Sequence, residues 1–113
     1  MSLAEKVVNK MMSGDAFSKW LGIEVIEVSP GYCKLQMIIR DEMMNGFSIA
    51  HGGISYSLAD SALAFAANSH GRQAVSVETS ISHTQKVLNG SKLIATAREI
   101  SKNNKTGLYN ISI

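Results

Sequence analysis

Between Gly52 and Ser69 the chain carries its only long helical pattern beyond the first third. Ile54, Leu58, Ala62, Phe65 and Ala66 fall at i, i+4, i+8, i+11 and i+12, one stripe of a helix. A helix of that length must hide its apolar stripe against another layer, so it dictates how the remaining elements are arranged. Asn68-Ser69-His70-Gly71 supplies its stop, with Gly71 suited to a left-handed cap. One acid, Asp60, interrupts the run among Leu58, Ala59, Ala62, Leu63 and Ala64. An acid on a helix is ordinarily part of a solvated face, but a charge among so many apolar neighbours asks for a reason.

The other elements follow from their periods. Val7, Val8, Met11 and Met12 recur at helical spacing from Ala4 to Met12, Ser13-Gly14-Asp15 interrupts them, and AFSKWLG adds a short further turn. IEVIEV leads through Ser29-Pro30-Gly31 into YCKLQMII, which alternates with Cys33, Leu35, Met37 and Ile39 on one face, so a β-hairpin is expected. Beyond the helix, AVSVETSISH alternates with Val75, Val77 and Ile81 on one face. KLIATAREI follows the Asn89-Gly90 turn, and TGLYNISI follows Lys102-Asn103-Asn104-Lys105. These predict three strands joined as a meander, hence an α+β fold with an antiparallel sheet on one buried helix.

At 113 residues the chain reads as one domain, residues 1–113, large enough for one core but small enough that oligomerisation is expected to help it. The net charge of +2 and pI near 8.8 are mild, and Lys and Arg are scattered, which argues against nucleic acid as a partner. Cys33 is the one cysteine, no apolar run approaches the roughly 18 residues of a membrane span, and the N-terminus has no signal-peptide pattern. A cytoplasmic protein with no membrane partner is expected. Six Met against three Phe and one Trp make a deformable apolar content, which suits an oily ligand as well as ordinary packing. The chain stops at Ile113 within an alternating pattern, so neither terminus carries functional weight.

Chemistry concentrates in NGFSIAHGGISYSLAD, Asn45 to Asp60. Gly52 and Gly53 open the helix, where unpaired N–H groups and a partial positive charge can hold a developing oxyanion, and glycine lets a carbonyl come close. Asp60 stands eight residues on, which at about 1.5 Å rise is roughly 12 Å along the axis, too far for both to touch one reacting carbon. A site that uses both needs two subunits, as a symmetric dimer provides twice over. The Asp60 face also carries Gly53, Ser57, Ala64 and Ala67, all small enough for a partner chain or extended ligand to approach. A carboxylate in such a dry seam is poorly solvated, fit for a general base or a nucleophile. His51 reads as a capping or loop-orienting residue before a proton-transfer group, and Asn45 as an Asn-Gly turn. Cys33 reads as core, and His70 and His83 as surface or turn residues, with no metal-ligand spacing among them.

Asn45-Gly46, His51-Gly52-Gly53 and Ser57-Leu58-Ala59-Asp60 together resemble the signature of hotdog-fold acyl-CoA thioesterases of the phenylacetic-acid-degradation type. LGIEVIEVSPGYCKLQM and AVSVETSISH are similar in place and pattern, so the resemblance spans nearly the whole chain. It implies a hotdog fold, a long central helix wrapped by a curved antiparallel sheet that continues across a homodimer, commonly stacked into a homotetramer. It further implies cofactor-free and metal-free hydrolysis of an acyl-CoA. Asp60 would be base or nucleophile and the Gly52 N–H would polarise the carbonyl. Asn45 would place the water or thioester, His51 would support the glycine turn, and Ser76 best matches a Ser or Thr found after the helix in some members. Members continue past the position of Ile113 into one more strand beside AVSVETSISH, and their usual Arg-Pro after that strand is replaced here by Gln85-Lys86.

Arg72, Lys86 and Lys92 are candidate contacts for the CoA phosphates, although lone cations on turns are more often simply solvated. Phe47, Ile49, Tyr56, Met43 and Met44, together with Gly53, are candidates for the acyl side, where packing would use the same residues. A hotdog dehydratase would use a His and an acid as a pair, but His51 and Asp60 lie too close in sequence and the His-Phe-Pro-Gly signature of that group is absent. The alternative from another class is a non-catalytic acyl-CoA-binding or structural hotdog protein. A binder needs the groove but not a carboxylate facing the thioester.

Overall fold

The computed structural model describes residues 1–113. A helix, α1 (Leu3–Ser13), and a short helix, α2 (Ala16–Leu21), precede the hairpin of β1 (Glu24–Ser29) and β2 (Tyr32–Ile38). The long helix α3 (Gly52–Asn68) follows, then β3 (Lys92–Lys102) and β4 (Gly107–Ser112). The four strands form one antiparallel sheet in the order β1-β2-β3-β4, with α3 packed across it. This is the hotdog arrangement. No helix is long and apolar enough to cross a membrane.

The core lies where the two expected stripes meet. Cys33, Leu35, Met37 and Ile39 are buried on the inner face of β2, and Leu58, Ala62, Phe65 and Ala66 are buried on α3. Each large apolar side chain so hidden contributes about 1.5–3 kcal/mol. Burial pushes the Cys33 thiol up to about 12, as befits a small core side chain and not a nucleophile. Leu93, Ala95 and Ala97 of β3 complete this layer, and Ala4 and Val8 of α1 close its side. Bulges at Val25/Glu27 and Glu99/Ser101 shift the register, and the residues between them, Ile26 and Ile100, face solvent.

One expected strand does not form. AVSVETSISH bends at Val77 and pairs with no strand, and Val75 and Val77 are 81% and 95% exposed instead of sharing a buried face. A strand exists only through its neighbours. Here β3 is already paired on both sides, and a groove of about 1050 Å³ separates this segment from β4.

The segment is nevertheless fastened at both ends to α3 and its approach, so it runs back along the helix as a strap. The Asn68 side chain donates to Ala74 O (3.0 Å) and accepts from Ala74 N–H (2.9 Å), and at the far end Ala50 N–H donates to Val87 O (2.8 Å).

The end of α3 is tied down by two further polar contacts. Ser69, where the helix stops, is buried; its hydroxyl donates to Ala66 O (2.6 Å) and accepts the N–H of Gly31 (2.8 Å). Gly31 sits at φ +74° in the β1–β2 turn, a conformation that suits glycine, and Glu99 packs directly over it. His70, read as a surface or turn residue, lies in the turn after α3 and meets Glu99 at 2.7 Å, while Tyr109 OH donates to the same carboxylate oxygen at 2.8 Å. These two hydrogen bonds, His70 foremost, hold the Glu99 carboxyl below its usual range, and Lys102 helps. Burial and then the Glu99 bond push the Tyr109 hydroxyl up to about 12.

Two outcomes follow. Ser69→Ala leaves the buried Gly31 N–H without a partner and is expected to cost about 1–3 kcal/mol in urea unfolding, with the slope unchanged. Because the folded state lowers the Glu99 value, its stabilisation is complete above the ordinary carboxylate value of 4.5 and fades as pH falls through the lower folded value. Melting temperatures measured downward from about pH 5.5 are therefore expected to fall less steeply for Glu99→Gln than for the wild type.

Candidate active site

The stretch before α3 folds back on itself. Met44 and Ala50 form an isolated antiparallel bridge, His51 N–H donates to Met43 O (2.8 Å), and Asn45 N–H donates to Ile49 O (2.7 Å). The Asn45 side-chain oxygen accepts from Phe47 N–H (2.9 Å), an Asx turn that leaves its amide N–H₂ unused within the chain. Asn45 thus performs its turn role while presenting a free donor. Phe47 at the tip is 88% exposed.

His51 is the N-cap of α3, and its Nδ1 accepts from Gly53 N–H at 2.9 Å, so the proton of the neutral ring sits on Nε2. Ile54 N–H bonds to His51 O. The N–H of Gly52, the first helical residue, is left with no partner in the chain. A Cβ on Gly52 would lie 3.3 Å from Nε2 of His83, which the strap places over the helix start. His83 reads as a surface or turn residue in the sequence and is exposed in the structure. No local pattern announces a contact between residues 31 apart.

Four residues further along α3, Tyr56 is hydrogen-bonded through its hydroxyl to Thr79 of the strap. Asp60 comes one turn later, exposed on the outer side of the helix. It borders two depressions. A cavity of about 290 Å³ is lined by Asp60, Tyr56, Ser57, Ser61 and Ala64 of α3 together with Phe17 and Ser18 of α2 and the Asp15 that caps it. On the other side lies the wide groove between the strap and β4, where Asp60 and Ser76 share one lining.

The structure places His51, Gly52 and Gly53 at the start of α3 and Asn45 in the turn that leads to it, and brings Ser76 to the groove that Asp60 borders. Of the proposed acyl-side residues, Tyr56 borders the cavity beside Asp60. Met43 is buried in the core, and Met44, Ile49 and Phe47 border neither depression. Arg72 borders the groove, whereas Lys86 and Lys92 are exposed and border neither. No group of three His, Cys, Asp or Glu side chains is close enough to hold a metal ion. Phe17 and the Asp15-Ser18-Ser61 contact were not singled out in the sequence; the only local signal was Asp15 before a short helical pattern.

Residues 47–113 match the model of the Thioesterase superfamily. The acyl-coenzyme A thioesterase PaaI of Escherichia coli K12 is 38% identical over 103 residues, 91% of this chain and 74% of that protein. An Archaeoglobus fulgidus protein is 38% identical over 107 residues, 95% of this chain and 70% of its own. Among solved structures, that of the E. coli PaaI protein from the phenylacetic acid degradation operon superposes with a TM-score of 0.95 at 36% identity, covering 96% of this chain and 79% of that one. A mutant of the phenylacetic acid degradation protein PaaI from Thermus thermophilus gives 0.83 at 31% identity, covering 86% and 84%. The chain belongs to the thioesterase superfamily and has the hotdog fold of its phenylacetic-acid-degradation-type members.

Proposed function

We propose that this protein is an acyl-CoA thioesterase that releases free acid and CoA from an aryl- or fatty-acyl thioester, at a site shared by two subunits of a homodimer. The observation that carries the reading is the unpaired Gly52 N–H at the start of the helix that presents Asp60, within a thioesterase-family chain. The thioester oxygen of the bound substrate accepts from Gly52 N–H of one subunit, where the helix end favours the negative charge that develops on it. Asp60 of the facing subunit takes a proton from water as the water oxygen bonds to the carbonyl carbon. The C–S bond then breaks and CoA leaves as a thiolate that picks up a proton. Alternatively Asp60 attacks directly, giving an anhydride that water opens. Asn45 holds the water or thioester through its free amide, His51 keeps the glycine turn in shape, and Ser76 serves as a polar neighbour on the groove that Asp60 borders. Arg72 and Lys86 are the candidate partners of the CoA phosphates, and the dimers are expected to pair into a tetramer.

Two substitutions separate these roles. Asp60→Asn is expected to lower kcat at least ~100-fold on an acyl-CoA panel with the oligomer intact by light scattering. Gly52→Pro removes the N–H in question and adds a ring where glycine left space, its Cβ 3.3 Å from Nε2 of His83, so His83 must give by a few tenths of an ångström. Proline is favoured at the first helical position, and His51, at φ −60° and ψ 136°, already has the backbone a residue before proline requires. The protein should fold, and kcat should drop by roughly 10²–10³ with a smaller change in KM. A correctly assembled wild type that turns over no acyl-CoA but binds one would instead favour the non-catalytic binder. After a single turnover in ¹⁸O-water, label on Asp60 identifies direct attack with water opening the anhydride at the Asp60 carboxyl carbon.

A further inference from the structure

The cavity beside Asp60 has one wall that the sequence pattern did not predict, and that wall is built to stay where it is. Phe17 of α2 borders it opposite α3, yet this large apolar residue is 52% exposed. Helix α2 is held at both ends. At its start Ser18, itself buried, donates its N–H and hydroxyl to the Asp15 carboxylate at 2.9 and 2.6 Å, and its hydroxyl meets Ser61 Oγ, next to Asp60 on α3, at 2.8 Å. At its end the Trp20 ring stacks on Phe17, with centroids 6.1 Å apart and planes 10° from parallel. Arg40 lies over Trp20 at 4.7 Å and donates to the carbonyls of Trp20 and Leu21. The α3 side of the cavity offers the small Ser57 and Ala64, and its one large ring, Tyr56, is tied to Thr79.

We infer that Phe17 sets the upper size limit of the acyl group admitted beside Asp60, an inference that rests on the thioesterase reading above. At about 290 Å³ the cavity stands at the bottom of the roughly 300–1,000 Å³ typical of ligand pockets. With α2 fixed, the space cannot be enlarged by a small shift of the helix, so the ring of Phe17 decides how far an acyl chain extends. A compact acyl group fits beneath it, and a long chain collides with it.

The test compares kcat/KM for phenylacetyl-CoA and dodecanoyl-CoA in the wild type and in Phe17→Ala, after both are checked for the same oligomer. The dodecanoyl-to-phenylacetyl ratio is expected to rise on the order of tenfold or more when the ring is removed. Phe17→Trp, which fills the cavity further, is expected to lower the ratio of phenylacetyl-CoA to acetyl-CoA about fivefold. An unchanged ratio in both variants overturns the inference, as does a loss of equal size on every substrate. A wild type that hydrolyses none of the three overturns the thioesterase reading instead. The affinities of non-hydrolysable thioether analogues carrying the same acyl groups, measured by calorimetry, then decide on Phe17 by the same ratios.

Discussion

An α-helix rises about 1.5 Å per residue, so Gly52 and Asp60 stand roughly 12 Å apart along α3 and no reacting carbon can touch both. Everything proposed for the site depends on that separation. The Gly52 N–H is unpaired where the helix field favours a growing negative charge, while Asp60 stands on the outer side of the same rigid rod, open to solvent in the single chain. Two antiparallel copies of the helix would bring each carboxylate opposite the other's N–H. The small residues Gly53, Ser57, Ala64 and Ala67 on that side leave room for such an approach.

The rest of the fold keeps this helix in place. Its inner stripe is held by the apolar face of β2 and the alanines of β3, its end by Ser69 reaching across to Gly31, and its start by the His51 cap. The strap adds ties to the helix at Tyr56 and Asn68 and one to its approach at Ala50. A helix anchored at so many points can hold reacting groups at fixed distances, and acyl transfer by preorganised donors requires that. Short α2 is locked in the same manner, which makes the cavity beside Asp60 a shaped space.

Much of this was legible in the residues because local period and burial agree. The alternation of Cys33, Leu35, Met37 and Ile39 and the stripe of Leu58, Ala62, Phe65 and Ala66 each report the layer they face, and both are buried as expected. AVSVETSISH has an equally clean alternation and forms no strand, since alternation states a preference while pairing requires a neighbour. Ile26 and Ile100 lie at bulges that composition does not announce. The turn at Asn45 and the helix start at His51 and Gly52 were readable because each is set by residues near in sequence. His83 over Gly52, His70 on Glu99 and Ser18 on Ser61 were not, for each joins residues brought together only by the packed fold.

The most direct test of a shared site is to mix the two defects. Asp60→Asn and Gly52→Pro chains, each nearly inactive alone, are unfolded together in equal amounts, refolded and assayed for acyl-CoA hydrolysis. If each site takes Asp60 from one chain and Gly52 from the other, every mixed dimer has one site with both groups intact and one with neither. Random pairing should then restore about one quarter of the wild-type activity. If the mixture stays as inactive as its parts while wild-type protein refolded in the same way recovers, both groups act within one chain and the account is wrong.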